Sequence, residues 1–301
     1  MAVPNARTVS HWGWGRAEVR DIASARRILG PDGRVRATRY SATKDAAIRA
    51  EPTGVIDPFL SCIIFWDGDS PVAILTAYAC HPQSYYRLGI PSPDFPGIAR
   101  FMRGQDMPFT LHVHFNGAGG NVTAGKFNDG SRENRMALAS RLADGMKDAL
   151  KNTDKQPLQS EDIGWSKEAV HLPLAPHLSK EALIDQLRST PPKGYVSFAD
   201  QLAWLERTRS GKPLDITCLK VGSARMIHLP GELFVEYQIA AQKMRKNGQV
   251  MMAAYGDYGP AYIGTAQSYQ QGGYEVSATA SNVAPETERI LMDAMRTLLT
   301  D

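Results

Sequence analysis

The sequence predicts an α/β fold in which mixed β-sheets are flanked by helices, in a single large domain over residues 1–301. Segments with helical and with strand periodicity are roughly equally frequent, and they alternate without a strict βαβ order. The 43% hydrophobic and 22% charged residues are typical of a globular protein, and 301 residues are enough for a large core. No internal repeat is visible.

In the first half of the chain, a hairpin is the clearest unit, because two apolar, β-branched-rich runs flank a turn of Asp, Gly and Ser residues. A helix with Ser131 as its N-cap follows a glycine-rich segment, and its apolar residues recur at helical spacing. The predicted elements are strands 60–66 and 72–79 around the turn 67–70, strand 109–115 and helix 131–150.

In the second half, the polar segment 152–161 is a possible surface linker. A helix is predicted to end at Asn247-Gly248, and Pro285 stands near the first turn of the closing helix. The predicted elements are helices 179–188 and 197–207, strands 214–221 and 224–229, helix 232–246, strand 249–255 and helix 285–299.

Composition excludes several classes of function. The net charge of +3 and the absence of a basic run argue against nucleic acid as a partner. The apolar runs, such as 62–66, are far shorter than the ~20 residues of a membrane span. Residues 1–5 do not begin a signal segment, and an odd number of cysteines argues against a disulfide framework.

Three separated residues, His81, Glu232 and Tyr262, offer an imidazole, a carboxylate and a phenol. A catalytic zinc needs three protein ligands and one open position, so these residues form a candidate ligand set that we expect to converge. Each also has an ordinary structural explanation. A single histidine is more often structural than catalytic, and Glu232 stands at a predicted helix start, where a carboxylate is favourable. Because the chain has 11 tyrosines, the presence of a tyrosine at position 262 is not informative by itself.

Two other patterns have a simple alternative. His112 and His114 share one face of a strand and form a possible metal pair, although two half-buried histidines are the simpler interpretation. Residues 120–126 match most of a phosphate-binding loop, but Phe127 replaces the magnesium-binding hydroxyl and turn residues follow. We therefore expect no nucleotide there, and we expect Lys126 to point to solvent or a carboxylate.

The order of these motifs resembles the neutral/alkaline ceramidase family of zinc amidases. The resemblance runs from about residue 12 to the end of the chain, and Arg26 falls where the family has an arginine facing the substrate. The segments that carry it are 55–58, 77–84 and 92–94 around the histidine, the glycine-rich loop 115–123, the glutamate segment 229–232 and the two-tyrosine segment 262–275.

The resemblance implies a metal-dependent hydrolase with Zn²⁺ as cofactor, cleaving an amide-type bond of a ceramide-like N-acyl substrate or another small amide. The residues to which it assigns roles are the zinc ligands His81, Glu232 and Tyr262, the oxyanion donors Tyr274 and Arg26, and the substrate-side residues Asn121 and Thr123. We also expect the amides of the glycine-rich loop to face the cleft, and Tyr274 to lie beside Tyr262.

The sequence departs from the family at the metal site. The family has a His-x-His segment that supplies a further zinc ligand, and no such segment precedes Arg26. We expect either a catalytic domain without its N-terminal part or a site built differently, in which His112 or His114 fills the gap.

The sequence also departs from the family in its glycine-rich loop. Asn121 replaces an aspartate and Thr123 stands where serine is common, so the substrate need not be ceramide. Two alternatives stay open: a non-catalytic binding or assembly domain without a complete metal site, and a hydrolase of a non-amide bond. The resembled family is often secreted or membrane-associated, but the chain itself predicts neither a compartment nor an oligomeric state.

Overall fold

A computed structural model describes residues 6–85, 88–191 and 195–300, apart from the side chain at position 195. The N-terminal residues 1–5, which carry the signal-segment prediction, lie outside this part. The fold has four layers, because two sheets pack face to face and each is covered by helices on its outer face. This architecture confirms the predicted mixed-sheet α/β class.

Among the described residues, the two main sheets contain the longer strands, and the three small two-stranded sheets contain the shorter ones. They are β1 His11–Glu18, β2 Ser24–Ala25, β3 Arg27–Leu29, β4 Val35–Thr38, β5 Phe59–Asp67, β6 Ser70–Tyr78, β7 Leu111–Asn116, β8 Val122–Thr123, β9 Asp154–Pro157, β10 Ile163–Val170, β11 Leu214–Val221, β12 Ala224–Pro230, β13 Glu232–Leu233, β14 Val250–Gly256 and β15 Tyr262–Ile263. The helices are α1 Ala46–Ala50, α2 Asp94–Asp106, α3 Arg132–Lys151, α4 Lys180–Ser189, α5 Tyr195–Arg209, α6 Val235–Met244, α7 Ala266–Gln271 and α8 Thr287–Leu299.

The first sheet has the order β7-β6-β5-β1-β9 within the described residues, and only its β6–β7 pair is parallel. Helices α2 and α3 cover its outer face. The predicted hairpin forms β5 and β6. Leu60, Cys62 and Ile64 face the helices, while Ile63 faces the second sheet. Burial on both faces explains why this strand is continuously apolar, since successive side chains alternate between faces.

The second sheet has the order β10-β11-β12-β14, and its β12–β14 pair is parallel. Val250 and Met252 point to the helical side, where α6 and α8 pack, whereas Met251 faces the first sheet. The core between the two sheets therefore consists of alternate residues of strands that are buried on both sides.

Most predicted elements are present with ends shifted by at most about two residues. The exception is helix 232–246, because Glu232 and Leu233 form strand β13 and the helix begins only at Val235. The polar segment 152–161, interpreted as a possible linker, contains edge strand β9 paired with β1. A polar sequence can form an edge strand because backbone groups make the ladder. Within the described residues, the helices lack the length and apolar character needed to cross a membrane.

Candidate functional site

The side chains of His81, Glu232 and Tyr262 meet at one point, and we call these three residues the central cluster. His81 Nε2 lies 2.7 Å from Glu232 Oε2 and 3.3 Å from Tyr262 Oη. All three residues are buried, with exposed fractions between 2% and 8%. The predicted convergence of these residues is confirmed by these contacts.

Backbone hydrogen bonds between short segments bring the central cluster together. His81 N donates to Val122 O, and Gly120 N donates to Leu233 O, so the glycine-rich loop joins the histidine segment to the glutamate segment. Strand β13 then pairs in parallel with β15, which sets Glu232 beside Tyr262. The site is thus built on backbone ladders between segments that are far apart in sequence.

Two glycines allow these segments to approach closely. Gly231 has φ of +64°, and a Cβ there would lie 2.5 Å from Ala261 O. A Cβ at Gly120 would lie 2.3 Å from Glu232 O. Both contacts are shorter than any side chain tolerates, so the turn into β13 and the loop packing need glycine. Because β13 is extended, Glu232 reaches the cluster from a strand and does not cap a helix, which corrects the sequence interpretation.

The tautomer of His81 follows from its backbone partners. Its Nδ1 lies 2.6 Å from Gly119 O and 3.1 Å from Val122 O. Carbonyl oxygens only accept hydrogen bonds, so Nδ1 carries a proton. Neutral His81 then presents the lone pair of Nε2 to the cluster. A backbone carbonyl behind the second ring nitrogen is the arrangement that typically orients a metal-binding histidine.

The contact between His81 and Glu232 requires a proton or a cation between the two groups. A lone pair on Nε2 and a carboxylate oxygen repel each other unless a proton or a cation lies between them. Burial raises the pKa of Glu232, but the hydrogen bonds with His81 and Tyr258 outweigh it, so the pKa lies below its usual value. The carboxylate is therefore held in its charged form, as a metal ligand must be.

The residue types fit zinc in their chemistry, and one of the two distances from His81 fits it in spacing. One nitrogen and two oxygens are ordinary zinc ligands, and ligand atoms around a tetrahedral zinc stand roughly 3.3 Å apart. The 3.3 Å from His81 Nε2 to Tyr262 Oη matches this spacing, whereas the 2.7 Å to Glu232 is a hydrogen-bond distance. In the described part of the chain, no three His, Cys, Asp or Glu side chains form a possible metal site. A zinc at this point would therefore need Tyr262 as its third protein ligand.

Arg26 contacts Tyr262, the tyrosine of the central cluster. Its Nη1 donates a hydrogen bond of 2.9 Å to Tyr262 Oη, and the arginine is only 5% exposed. Burial raises the pKa of Tyr262 well above its ordinary value, and the guanidinium opposes part of this rise. Arg26 therefore contacts Tyr262 directly, and its predicted contact with an oxyanion stays a prediction.

A buried carboxylate, Glu275, holds Arg26 and its neighbour. Glu275 has no exposed surface, and its two oxygens lie 3.2 Å from Arg26 Nε and 3.1 Å from Arg27 Nη1. Arg27 also donates to Ser268 O and Gln271 Oε1. The pair of arginines and Glu275 thus link the start of the chain to the segment that follows Tyr262.

We expect Glu275→Gln to destabilise the fold by about 3 kcal/mol, because it removes the negative charge between two buried guanidinium groups. Urea unfolding measures the change in free energy. Glu133→Gln, on the exposed side of α3, is the matched control and should leave the stability nearly unchanged. Equal stabilities of Glu275→Gln and the parent would show that the arginines do not need this carboxylate.

Tyr274 lies beside Tyr262, as predicted. The two rings are edge to face with centroids 5.8 Å apart, and Arg26 Cζ lies 5.5 Å from the centroid of the Tyr274 ring. Both tyrosines line a cleft of about 200 Å³ together with Tyr258. The other lining residues are Ser197, Asp200, Gln201, Gly259, Ala261, Thr279, Ala280 and Asn282. The cluster therefore borders an accessible cleft through its tyrosine.

Asn121 and Thr123 make their described hydrogen bonds away from the cleft. Asn121 Oδ1 accepts from Val235 N and its Nδ2 donates to Glu236, so it anchors the start of α6 just after Glu232. Thr123 is fully buried, and its hydroxyl donates to the carbonyl oxygen of Arg39. These contacts give both residues a scaffold role, and a direct role in substrate handling stays a prediction for Asn121 and Thr123.

The prediction that the loop amides face the cleft is wrong wherever an amide of this loop has a backbone or side-chain partner within the fold. The amide of Gly120 binds Leu233 O, and the amides of Gly117, Ala118 and Val122 bind Tyr78 O, Gln238 Oε1 and Gly119 O. The loop acts instead through its carbonyls, which hold His81. Buried backbone donors need partners, and this loop finds them within the fold.

Lys126 also differs from its prediction. Its Nζ donates to the carbonyl oxygens of Arg49 and Glu51, at the C-terminal end of α1, at 2.9 and 2.6 Å. A cation at a helix C-terminus satisfies carbonyls that lack an intrahelical partner. Lys126 is therefore a helix-capping residue.

Lys126→Ala should lower the free energy of unfolding by about 1 kcal/mol, because charge-assisted bonds of a partly exposed lysine are lost. Titration with a fluorescent ATP analogue and magnesium should detect no saturable binding in the parent or the variant. Micromolar binding that disappears in Lys126→Ala would restore the phosphate-loop interpretation.

His112 and His114 lie on edge strand β7, outside the described contacts of the central cluster. His114 Nδ1 is 2.9 Å from Thr76 Oγ1, and burial next to Arg100 lowers the pKa of His114 to about 3. Burial and the nearby arginines also lower the pKa of His112. Both are therefore neutral, partly buried sheet residues, as in the simpler interpretation, and their role as extra ligands stays a prediction.

Sequence reasoning missed Tyr258 and the role of Glu275. Tyr258 Oη donates to Glu232 Oε1 at 2.6 Å, so it contacts a central-cluster residue directly. The signal in the sequence is a turn-rich stretch, Tyr-Gly-Asp-Tyr-Gly-Pro at 255–260, just before Tyr262. Such a stretch indicates a loop, but it does not say which residue the loop reaches.

Comparisons with known proteins give the fold. No family model and no curated protein matches this chain. A solved ceramidase complexed with C2 superposes with a TM-score of 0.65 at 16% identity, over 96% of this chain and 53% of the ceramidase. The neutral ceramidase from Pseudomonas aeruginosa superposes with a TM-score of 0.63 at 15% identity, over 96% of this chain and 52% of that chain. This chain therefore shares its fold with about half the length of each of these two ceramidases.

Proposed function

We propose that this protein is a zinc-dependent hydrolase that cleaves an amide-type bond in a lipid-like substrate. The observation that carries the proposal is the convergence of His81 Nε2, Glu232 Oε2 and Tyr262 Oη, with His81 oriented by backbone carbonyls. The fold shared with ceramidases supports a hydrolase on this scaffold.

The central cluster would hold the metal, and each neighbouring residue has a part in the proposed reaction. When bound, zinc would lower the pKa of a coordinated water to about 7 and polarise a carbonyl oxygen. Arg26 would stabilise negative charge on a metal-bound Tyr262 through its 2.9 Å hydrogen bond. Tyr274, on the wall of the cleft, donates a hydrogen bond to the substrate oxygen as negative charge develops there.

The shape of the surroundings supports an elongated substrate with an apolar part. The cleft at Tyr262 shares Ser197, Gln201 and Thr279 with a neighbouring pocket of about 460 Å³. This pocket is lined in part by apolar side chains, among them Leu178, Leu183 and Phe198. A scissile carbonyl at the cluster and an apolar chain in the pocket would fit this arrangement.

A second candidate function is a binding domain without a catalytic metal. The observation that favours it is the 2.7 Å contact between His81 and Glu232, since a shared proton satisfies both groups without a metal. The two candidates differ in a measurable property, which is the zinc content of the purified protein.

The test combines metal analysis with hydrolysis. Purified protein is stripped with a chelator and reloaded with zinc, and bound metal is measured by mass spectrometry. The proposal expects about one zinc per chain and hydrolysis of a fluorescent short-chain N-acyl sphingosine only after reloading. A chain that stays metal-free and inactive would overturn the hydrolase and support the binding domain.

The substrate bond is tested in the same assay. An ester analogue of the same chain length and headgroup serves as the comparison for the amide. Faster release from the amide supports amidase specificity. Turnover of the ester with an inert amide would keep the hydrolase but reject the amide bond.

A further inference from the structure

The loop between β14 and β15, residues 257–261, joins two strands that border the central cluster. Asp257 and Ala261 adopt positive φ of +37° and +54°, and Tyr255, just before the loop, has φ of +68°. Residues other than glycine rarely adopt this conformation, and where they do so the surrounding structure must hold them in place. Such residues cluster where a side chain must be placed accurately.

Both ends of this loop are bound to the residues around Glu232. Tyr255 N donates to Gly231 O, and Glu232 N donates to Ala261 O. Asn282 holds the middle of the loop, because its Nδ2 donates to Gly259 O. The backbone of the loop is therefore attached to the same segment that carries the candidate carboxylate ligand.

Tyr258 projects from this loop to Glu232. Its hydroxyl donates a 2.6 Å hydrogen bond to Oε1, while Oε2 of the same carboxylate faces His81. A hydrogen bond of this length to a carboxylate is charge-assisted and directional. Tyr258 is 52% exposed and forms part of the cleft wall next to Tyr262 and Tyr274.

We propose that Tyr258 is a positioning residue that reserves one oxygen of Glu232, so that the carboxylate presents only Oε2 to a metal at the central cluster. This inference rests on the proposed zinc site. A carboxylate with both oxygens available can rotate or bind a metal through both of them, whereas a phenol donor on Oε1 leaves a single ligand atom. The fourth metal position then stays open for water or substrate.

The strained loop gives this arrangement a physical basis. A half-exposed tyrosine would otherwise sample several rotamers, which would weaken its hold on Glu232. Attachment of the loop at Gly231 and Asn282 fixes the backbone from which Tyr258 extends. The fixed backbone therefore places the hydroxyl of Tyr258 at Glu232 Oε1.

The test compares Tyr258→Phe with the parent and with Tyr269→Phe. Tyr269 is a matched control, because its hydroxyl bonds to Val283 O and Ser281 Oγ and not to Glu232. Zinc affinity is measured by competition with a chromophoric chelator, and the melting temperature of each metal-free protein is measured separately. We expect Tyr258→Phe to bind zinc about 10- to 100-fold more weakly than the parent, with an unchanged metal-free melting temperature. Tyr269→Phe should bind zinc as the parent does.

The outcomes separate this inference from the proposed function. If the parent binds zinc and Tyr258→Phe binds it equally well, Tyr258 does not position Glu232 and the inference fails alone. A parent that binds no zinc overturns the proposed function and this inference together. If Tyr258→Phe lowers the metal-free melting temperature, Lys126→Ala, which loses its hydrogen bonds away from the central cluster, provides the decision. Zinc affinity that is kept in Lys126→Ala and lost in Tyr258→Phe supports positioning, and an equal loss in both variants rejects it.

Discussion

His81→Ala is expected to abolish zinc retention while leaving most of the fold intact. The substitution removes the nitrogen donor of the central cluster and leaves Glu232 and Tyr262 as two oxygen donors, fewer than the three protein ligands of a catalytic zinc. The backbone amide of His81 still donates to Val122 O, so the ladder that builds the site is kept. Metal content after dialysis, measured by mass spectrometry, should fall from about one zinc per chain to a trace.

His112→Ala is the control for this prediction. His112 lies on edge strand β7 and makes no described contact with the central cluster, so the variant should keep its zinc. Circular dichroism of both variants checks that the fold is retained. Full zinc content in His81→Ala would exclude His81 as a ligand, and loss of zinc in His112→Ala would identify it as the additional ligand.

Tyr274→Phe is expected to lower kcat by about 10²- to 10³-fold with little change in melting temperature. Its ring stands edge to face against Tyr262 and lines the cleft, where a hydroxyl can donate to an oxyanion. Such a hydrogen bond is worth most as charge develops, so the loss should fall on kcat more than on KM. Steady-state kinetics of the zinc-loaded protein and a thermal melt measure the two quantities.

Tyr40→Phe is the matched control, because Tyr40 is similarly exposed and its ring also lies near Arg26, at 5.7 Å. It is absent from the residues that line the cleft, and its kcat should equal that of the parent. A destabilised Tyr274→Phe with unchanged kcat would show that the hydroxyl serves the fold and not the reaction.

Local pattern was sufficient to predict much of the fold. The hairpin of β5 and β6 and the helix α3 follow from periodicity, since alternation and helical spacing reflect which face of an element is buried.

The prediction was wrong for the segment that precedes α6. Glu232 and Leu233 look like a helix start, but Gly231 with φ of +64° and pairing with β15 hold them in an extended conformation. Pairing partners that are distant in sequence override local preference.

The sequence by itself determined the α/β class and singled out His81, Glu232 and Tyr262 as candidate ligands, because these expectations rest on residue chemistry and motif order. Only the tertiary structure decided how these three residues are held. The carbonyl of Gly119 behind His81, the hydroxyl of Tyr258 on Glu232 and the carboxylate of Glu275 behind Arg26 all come from remote segments. The identity of a hydrogen-bond partner depends on which chain segments are in contact in the folded protein, and a single sequence does not show which remote segments are in contact.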